Sequence, residues 1–142
     1  MQKIVTFLMF DNQAEEAVRF YASVFGEDAE LLTPLSFRLF GQEFYAYNGG
    51  PSFHFSEGMS LFVRCEDQAE VDHYWERLGD GGNYSQCGWL QDRFGVSWQI
   101  VPNALMELSS DPDPVKSKRV IDAMLKMSKL VVAELEAAYR GE

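Results

Sequence analysis

At 142 residues the chain is the length of one domain, or of two small modules sharing a core, and it can fold without covalent staples. Its net charge of −10, from 12 basic and 22 acidic residues, repels a phosphate backbone and argues against a nucleic-acid partner. No apolar run reaches the roughly 18 residues of a membrane span. Two cysteines, Cys65 and Cys87, are too few and too far apart for a zinc ribbon or redox pair; they suit a reduced, cytoplasmic compartment as free thiols.

The opening "MQKIVTFLMFD" stops being apolar at Asp11 and offers no small-residue cleavage site, so it reads as a first strand, Lys3 to Phe10, and not as a leader. "NQAEEAVRFYASVFG" then puts Ala14, Val18, Tyr21 and Phe25 on one helical stripe closed by Gly26. Short strands follow, broken at Thr33-Pro34 and Gly41-Gln42, before an irregular "NGGPSFHFSEG". The second half repeats that order. Met59 to Glu66 is a strand, "DQAEVDHYWERLG" an amphipathic helix ending at Gly79, and "GWLQDRFGVSWQIVP" a hairpin turning at Asp92 to Gly95. Beyond Asn103, "ALMELSS" is a short helical run. "DPDP" then stops and restarts the chain, with Asp113 as N-cap and Pro114 at the first helical position. Val120, Ile121, Met124 and Leu125 are expected on one apolar face of this arm, with a break near Lys129 before "VVAELEAAY".

"TFLMFDNQAEEAVRFY" and "SLFVRCEDQAEVDHYW" share the tripeptide QAE and a following aromatic pair, at an offset of 54 or 55 residues. Agreement of residues with element order marks two copies of one β-α-β-β(-β) unit. The fold expected is α+β: two tandem modules, 1–52 and 57–103. A helical arm, 104–142, packs on the same domain or on a dimer partner.

Two copies of this unit resemble the vicinal oxygen chelate, or glyoxalase/bleomycin-resistance/dioxygenase, superfamily. Within it the chain is similar to the PhnB-like family, also described as 3-demethylubiquinone methyltransferase-like. The matching stretches are the two repeats, "NGGPSFHF", "CGWLQDRFGVSWQIVP" and "SDPDPVKSKRVIDAMLKM". The resemblance implies curved mixed sheets around a cleft, a homodimer and, in metal-using members, a divalent ion on one position of the first and last strand of each module. Those positions fall here on Thr6, Phe44, Ser60 and Gln99, none of them a histidine or carboxylate, so no metal cofactor is expected. The connection from Leu32 to Phe37 also looks shorter than in relatives. The methyltransferase name finds no support in the residues: the turn "FDNQAEE" lacks the glycines of a Rossmann cofactor loop, and "GDGG" is a helix end and turn.

The remaining candidates are weighed singly. His54, between Phe53 and Phe55, is a surface histidine flanked by rings expected to turn inward; His73 is placed on the exposed side of its helix. Cys65 and Cys87 read most simply as buried structural thiols, with no neighbouring base or cation in sequence to activate either. Asp92 and Arg93 read as turn chemistry. Trp89 stands nearly opposite Trp98 across the hairpin, on a face with Cys87 and Gln91. If Gln99 faces the cleft, Trp98 turns away. The function expected is small-molecule binding in an aromatic cleft lined by Thr6, Phe44, Phe53, His54, Phe55, Ser60, Cys87, Trp89 and Gln99, without the usual metal. The alternatives are a lyase or dioxygenase with non-standard metal ligands, recruiting His54 or Cys87, and a structural dimer with no ligand.

Overall fold

A computed structural model describes residues 2–142, and the chain divides into two compact units, Met1–Phe55 and Ser56–Glu142. In the first, β1 (Thr6–Phe10) leads through α1 (Ala14–Phe25) and a single 3₁₀ turn to β2 (Ala29–Thr33), β3 (Ser36–Leu39) and β4 (Gln42–Asn48). The sheet order is β1-β4-β3-β2, with β1 parallel to β4 and the other pairs antiparallel. Only two residues separate β2 from β3, as the short connection led one to expect. β3 turns into β4 through Phe40 and Gly41, both at positive φ, the backbone that a two-residue hairpin loop requires.

One face of this sheet carries the core. Phe37 and Phe44 stack at 5.1 Å, and Tyr21 of α1 lies on Phe37 at 5.9 Å. Leu8, Phe10, Leu39 and Ala46 are buried with them by alternation. Burial of each large apolar side chain contributes about 1.5–3 kcal/mol, so the helix-covered face holds this unit together. Its opposite face keeps Phe7 and Tyr47 about half exposed and stacked at 5.0 Å, with Tyr45 edge-on to Phe7 at 6.3 Å.

The second unit repeats the plan: β5 (Leu61–Cys65), α2 (Gln68–Gly79), β6 (Asn83–Tyr84), β7 (Trp89–Gln91) and β8 (Ser97–Pro102), ordered β5-β8-β7-β6. With the two-residue β6 the second unit reaches four strands and so includes the bracketed one; with Gly81 and Gly82 before β6, too little alternating pattern exists to reveal it. β1 and β5 each start two or three residues later than expected, at Thr6 and Leu61. Asp67 caps α2 by accepting from the Glu70 amide at 2.9 Å, while the Glu70 carboxylate accepts from the Glu66 amide at 2.7 Å. Trp98 is turned to the α2 side and donates to Asp92 at 2.9 Å. Asp92 also accepts from the Phe94 and Val96 amides, so it is turn chemistry, but buried at 2 % exposure.

The arm folds as α3 (Asn103–Ser109), α4 (Pro114–Met124) and α5 (Val132–Arg140). Asp113 caps α4, accepting from the Val115 and Lys116 amides, as its sequence implied. The arm packs on its own unit: Leu105, Val120, Leu130 and Leu135 enclose Val101 of β8. Of the expected stripe, Val120 and Met124 turn inward, whereas Ile121 and Leu125 are exposed, because three short helices turn more faces than one long one. Tyr139 donates to Asp111 at 2.7 Å, and Arg119 donates to the Ala138 and Tyr139 carbonyls, closing α5 onto α3 and α4.

Between α4 and α5 the chain is tied down by one side chain. The Gln68 amide donates to the Leu130 carbonyl at 3.1 Å and accepts from the Val132 amide at 2.7 Å. Beside it, Lys129 pairs with Asp72 at 2.9 Å. Replacing Gln68 by alanine leaves both backbone groups without that partner and should cost about 1–3 kcal/mol in urea unfolding, with faster proteolysis after Lys129 in the folded protein. Gly88 is constrained more sharply: at φ +83, an added Cβ would lie 2.8 Å from the Ile100 carbonyl and 3.0 Å from Leu130. Gly88→Ala should destabilise the protein by about 2 kcal/mol or more on the same measurement.

Candidate binding site

Parallel pairing of β5 with β8 sets Leu61 against Trp98 and Phe62 against Gln99, while β7 sets Trp89 against Gln99 and Gln91 against Ser97. Leu61, Val63, Trp98 and Ile100 therefore face α2; Phe62, Trp89, Gln91, Ser97 and Gln99 form the other, open face. On that face Gln99 donates to Ser60 at 2.9 Å. A pocket of about 570 Å³ lies against it, lined among others by Trp89, Gln91, Ser97, Asn83, Cys87 and Glu57. Its size is that of a small-molecule site.

Ser97 is the telling residue. It is 2 % exposed, and among the described residues its hydroxyl is the buried side-chain oxygen without a hydrogen-bond partner. Leaving such a group unmet costs about 1–3 kcal/mol. Sequence reasoning passed over Ser97; its position two before Gln99 was the available signal, since alternation puts both on one face.

Cys87 is not on a strand. It sits in a turn at φ 58, half-buried, its amide donating to the Met127 carbonyl and that of Gly88 to the Ser128 carbonyl. Ser128 in turn donates through its hydroxyl to the Ser85 carbonyl at 2.6 Å. The arm thus holds the 85–88 loop that walls the pocket. The reading of both cysteines as buried structural thiols holds for Cys65, which is fully buried, and fails for Cys87, which lines the pocket. Burial, reinforced by Glu70, pushes the Cys65 thiol up to about 12.

Thr6 and Phe44 need correction. They pair with each other, and Phe44 lies stacked on Phe37 under α1, so this rung belongs to the helix-covered face. The QAE tripeptides begin at Gln13 and Gln68, and this offset of 55 aligns Thr6 with Leu61 and Phe7 with Phe62. In the first unit Val5 and Tyr45 accordingly stand where Ser60 and Gln99 stand in the second. Neither pair, the valine and phenol of the first unit or the Ser60 hydroxyl bonded to the Gln99 amide in the second, offers a carboxylate, imidazole or thiolate donor. Among the described residues no three of His, Cys, Asp or Glu gather as a ligand set. Phe55 packs edge-on against Phe10 at 5.2 Å, but Phe53 is exposed rather than turned inward, and His54 is exposed between them. Of the nine nominated residues, Ser60, Cys87, Trp89 and Gln99 belong to the second unit, and Thr6, Phe44, Phe53, His54 and Phe55 to the first.

A family model described as 3-demethylubiquinone-9 3-methyltransferase matches residues 2–34 and 26–101. A PhnB protein from Bacillus cereus is 35% identical, with a TM-score of 0.63 over 71% of this chain and 99% of that one. The chain belongs to the PhnB-like family. Protein PA1353 from Pseudomonas aeruginosa shares the fold at 21% identity, with a TM-score of 0.60 over 72% of this chain and 98% of that one. No curated protein matches. The PhnB-like match ends at residue 101, so "SDPDPVKSKRVIDAMLKM", read above as part of the resemblance, lies beyond it. At the start of α1 the Ala14 amide donates to the Asn48 side chain at 2.9 Å. No helix is long and apolar enough to cross a membrane.

The two thiols give a direct check on this geometry. The neutral disulfide 4,4′-dithiodipyridine should titrate one thiol in the folded protein and two in guanidinium, and Cys87→Ser should abolish the folded-state reaction.

Proposed function

We propose that this PhnB-like chain binds a small organic molecule, without a metal ion, on the open face of its second unit. The observation that carries this reading is a pocket walled by Trp89, Gln91 and Ser97, the last with a buried hydroxyl that has no hydrogen-bond partner among the described residues. Indole supplies a flat apolar surface with one donor, and Gln91, Asn83 and Ser97 supply hydrogen bonds that fix orientation, the usual division of labour in a ligand site. Ser60 and Gln99, bonded to each other at 2.9 Å, stand at positions that the resemblance gives to ligands in metal-using relatives, and this supports binding in place of metal chemistry. A cytoplasmic homodimer belongs to the same reading, with the exposed Phe7, Tyr45 and Tyr47 rings as the apolar surface available for association.

A thermal-shift screen of small metabolites tests it. A ligand at a hundred times its Kd should stabilise the fold by about 2.7 kcal/mol. Trp89→Ala and Ser97→Ala should each weaken such a hit at least tenfold, while Mn, Ni or Zn ions should leave the melting temperature unchanged. A stoichiometric metal in untagged protein, or no hit from any chemical class, would overturn the reading.

A further inference from the structure

Strand register sets the polar groups of the pocket in one row. Asn83 pairs with Gln91 and Gln91 with Ser97, so three adjacent strands carry an amide, an amide and a hydroxyl side by side on the open face, about 4.8 Å from strand to strand. Trp89 is the next residue of β7 on that face and stands diagonal to Ser97, at the separation of about 7–8 Å that an aromatic side chain spans. The other two tryptophans are engaged, Trp98 with the Asp92 carboxylate and Trp75 with the Tyr84 ring at 4.7 Å. Among the described residues, Trp89 has neither a ring contact nor a hydrogen bond, and the Asn83 and Gln91 side-chain amides are likewise uncommitted.

Amides and a hydroxyl serve an anion or a cation alike, so the sign of a ligand falls to the remaining walls. Glu57 is the one charged side chain that lines the pocket, and its carboxylate has no ion-pair or hydrogen-bond partner among the described residues. On the reading of this pocket as a ligand site, we propose that its occupant is an organic cation, a flat molecule that lies against Trp89 and carries a protonated amine. An ammonium group only donates, and the Glu57 carboxylate, the two amide oxygens and the Ser97 oxygen all accept. The indole adds the attraction of its ring face for positive charge. The surroundings act in the same sense. Nearby cations are committed elsewhere, Arg93 to Asp80 at 3.2 Å and Lys129 to Asp72 at 2.9 Å. Arg64 shares the open face, but it stands on β5, two strand spacings or about 10 Å from β7, and does not line the pocket. Burial, reinforced by Asp80 and Glu76, raises the pKa of the lining Tyr84 hydroxyl, so this end of the sheet lies in negative potential. The net charge of −10 repels anions over the whole surface.

Three probes that share an indole and differ in the charge of a two-carbon tail test this by ligand-observed NMR titration near pH 7: tryptamine (cationic), tryptophol (neutral) and indole-3-propionate (anionic). Tryptamine should bind at least fivefold more tightly than tryptophol, and indole-3-propionate most weakly. Glu57→Gln should remove most of the gap between tryptamine and tryptophol and leave tryptophol unchanged. Glu107→Gln, the same change of charge on α3 outside the pocket, should leave the gap intact. Equal affinity for tryptamine and tryptophol, a gap that survives Glu57→Gln, tightest binding by the acid, or no binding of tryptamine at millimolar concentration would overturn the proposal. Trp89→Ala separates this outcome from failure of the site itself. Equal binding of all three probes that is lost in Trp89→Ala would overturn the charge preference alone, whereas binding indifferent to Trp89 would overturn the pocket as well.

Discussion

Parallel pairing of the first and last strand in each unit is the constraint on which the rest depends. Once β5 lies beside β8 with Leu61 against Trp98, alternation commits Trp98 and Ile100 to the helix and Gln99 and Ser97 to the open face. A shift of one residue would exchange the two sets, burying an amide and a hydroxyl under α2 and exposing an indole. The hydrophobic penalty for such a slip is several large side chains deep, which is why the register is unambiguous. The pocket is what the other face looks like when the helix has taken all the apolar residues it needs.

Two features of the second unit close that face at one end and leave it open at the other. Val101, four residues beyond Ser97 on the same side of β8, is covered by Leu105, Val120, Leu130 and Leu135 of the arm. Trp89, Gln91 and Ser97 receive no such cover. The arm also reaches the open end indirectly, by holding the Ser85–Gly88 loop through Met127 and Ser128. It therefore acts as a brace behind one wall of the pocket, and pocket shape and arm docking are mechanically connected through three hydrogen bonds.

Most of the architecture was legible in the residues, because helix stripes, turn dipeptides and the repeated QAE all agree with one another. Asp113 and Pro114 announced the start of α4 correctly for the same reason: caps are local chemistry. Face assignment in the first strand was the harder matter. "TFLMF" is apolar at nearly every position, so alternation carries no signal there, and an offset of 54 or 55 decides which residues meet the helix. The tripeptide settles on 55, while the strand comparison that matched Thr6 to Ser60 used 54. Ser97 and the turn at Cys87 were illegible for another reason: an unmet hydrogen bond and a positive φ are properties of packing, and neither leaves a pattern in composition or spacing. The exposure of Ile121 and Leu125 likewise reflects how the arm breaks into three helices, which no single stripe encodes.

The two QAE segments have diverged in what they do. In the first unit the α1 start is served by Asn48, reaching from β4 to the Ala14 amide, and Gln13 makes no side-chain cap. In the second, Asp67 caps α2 from its own chain, and the matching glutamine, Gln68, spends both ends of its amide on Leu130 and Val132. A duplicated motif thus carried a spare amide at a helix start. That group gives the Leu130–Val132 segment a peptide-like partner, so the arm is held by a side chain at a helix start and takes no hydrogen bond from a sheet edge there.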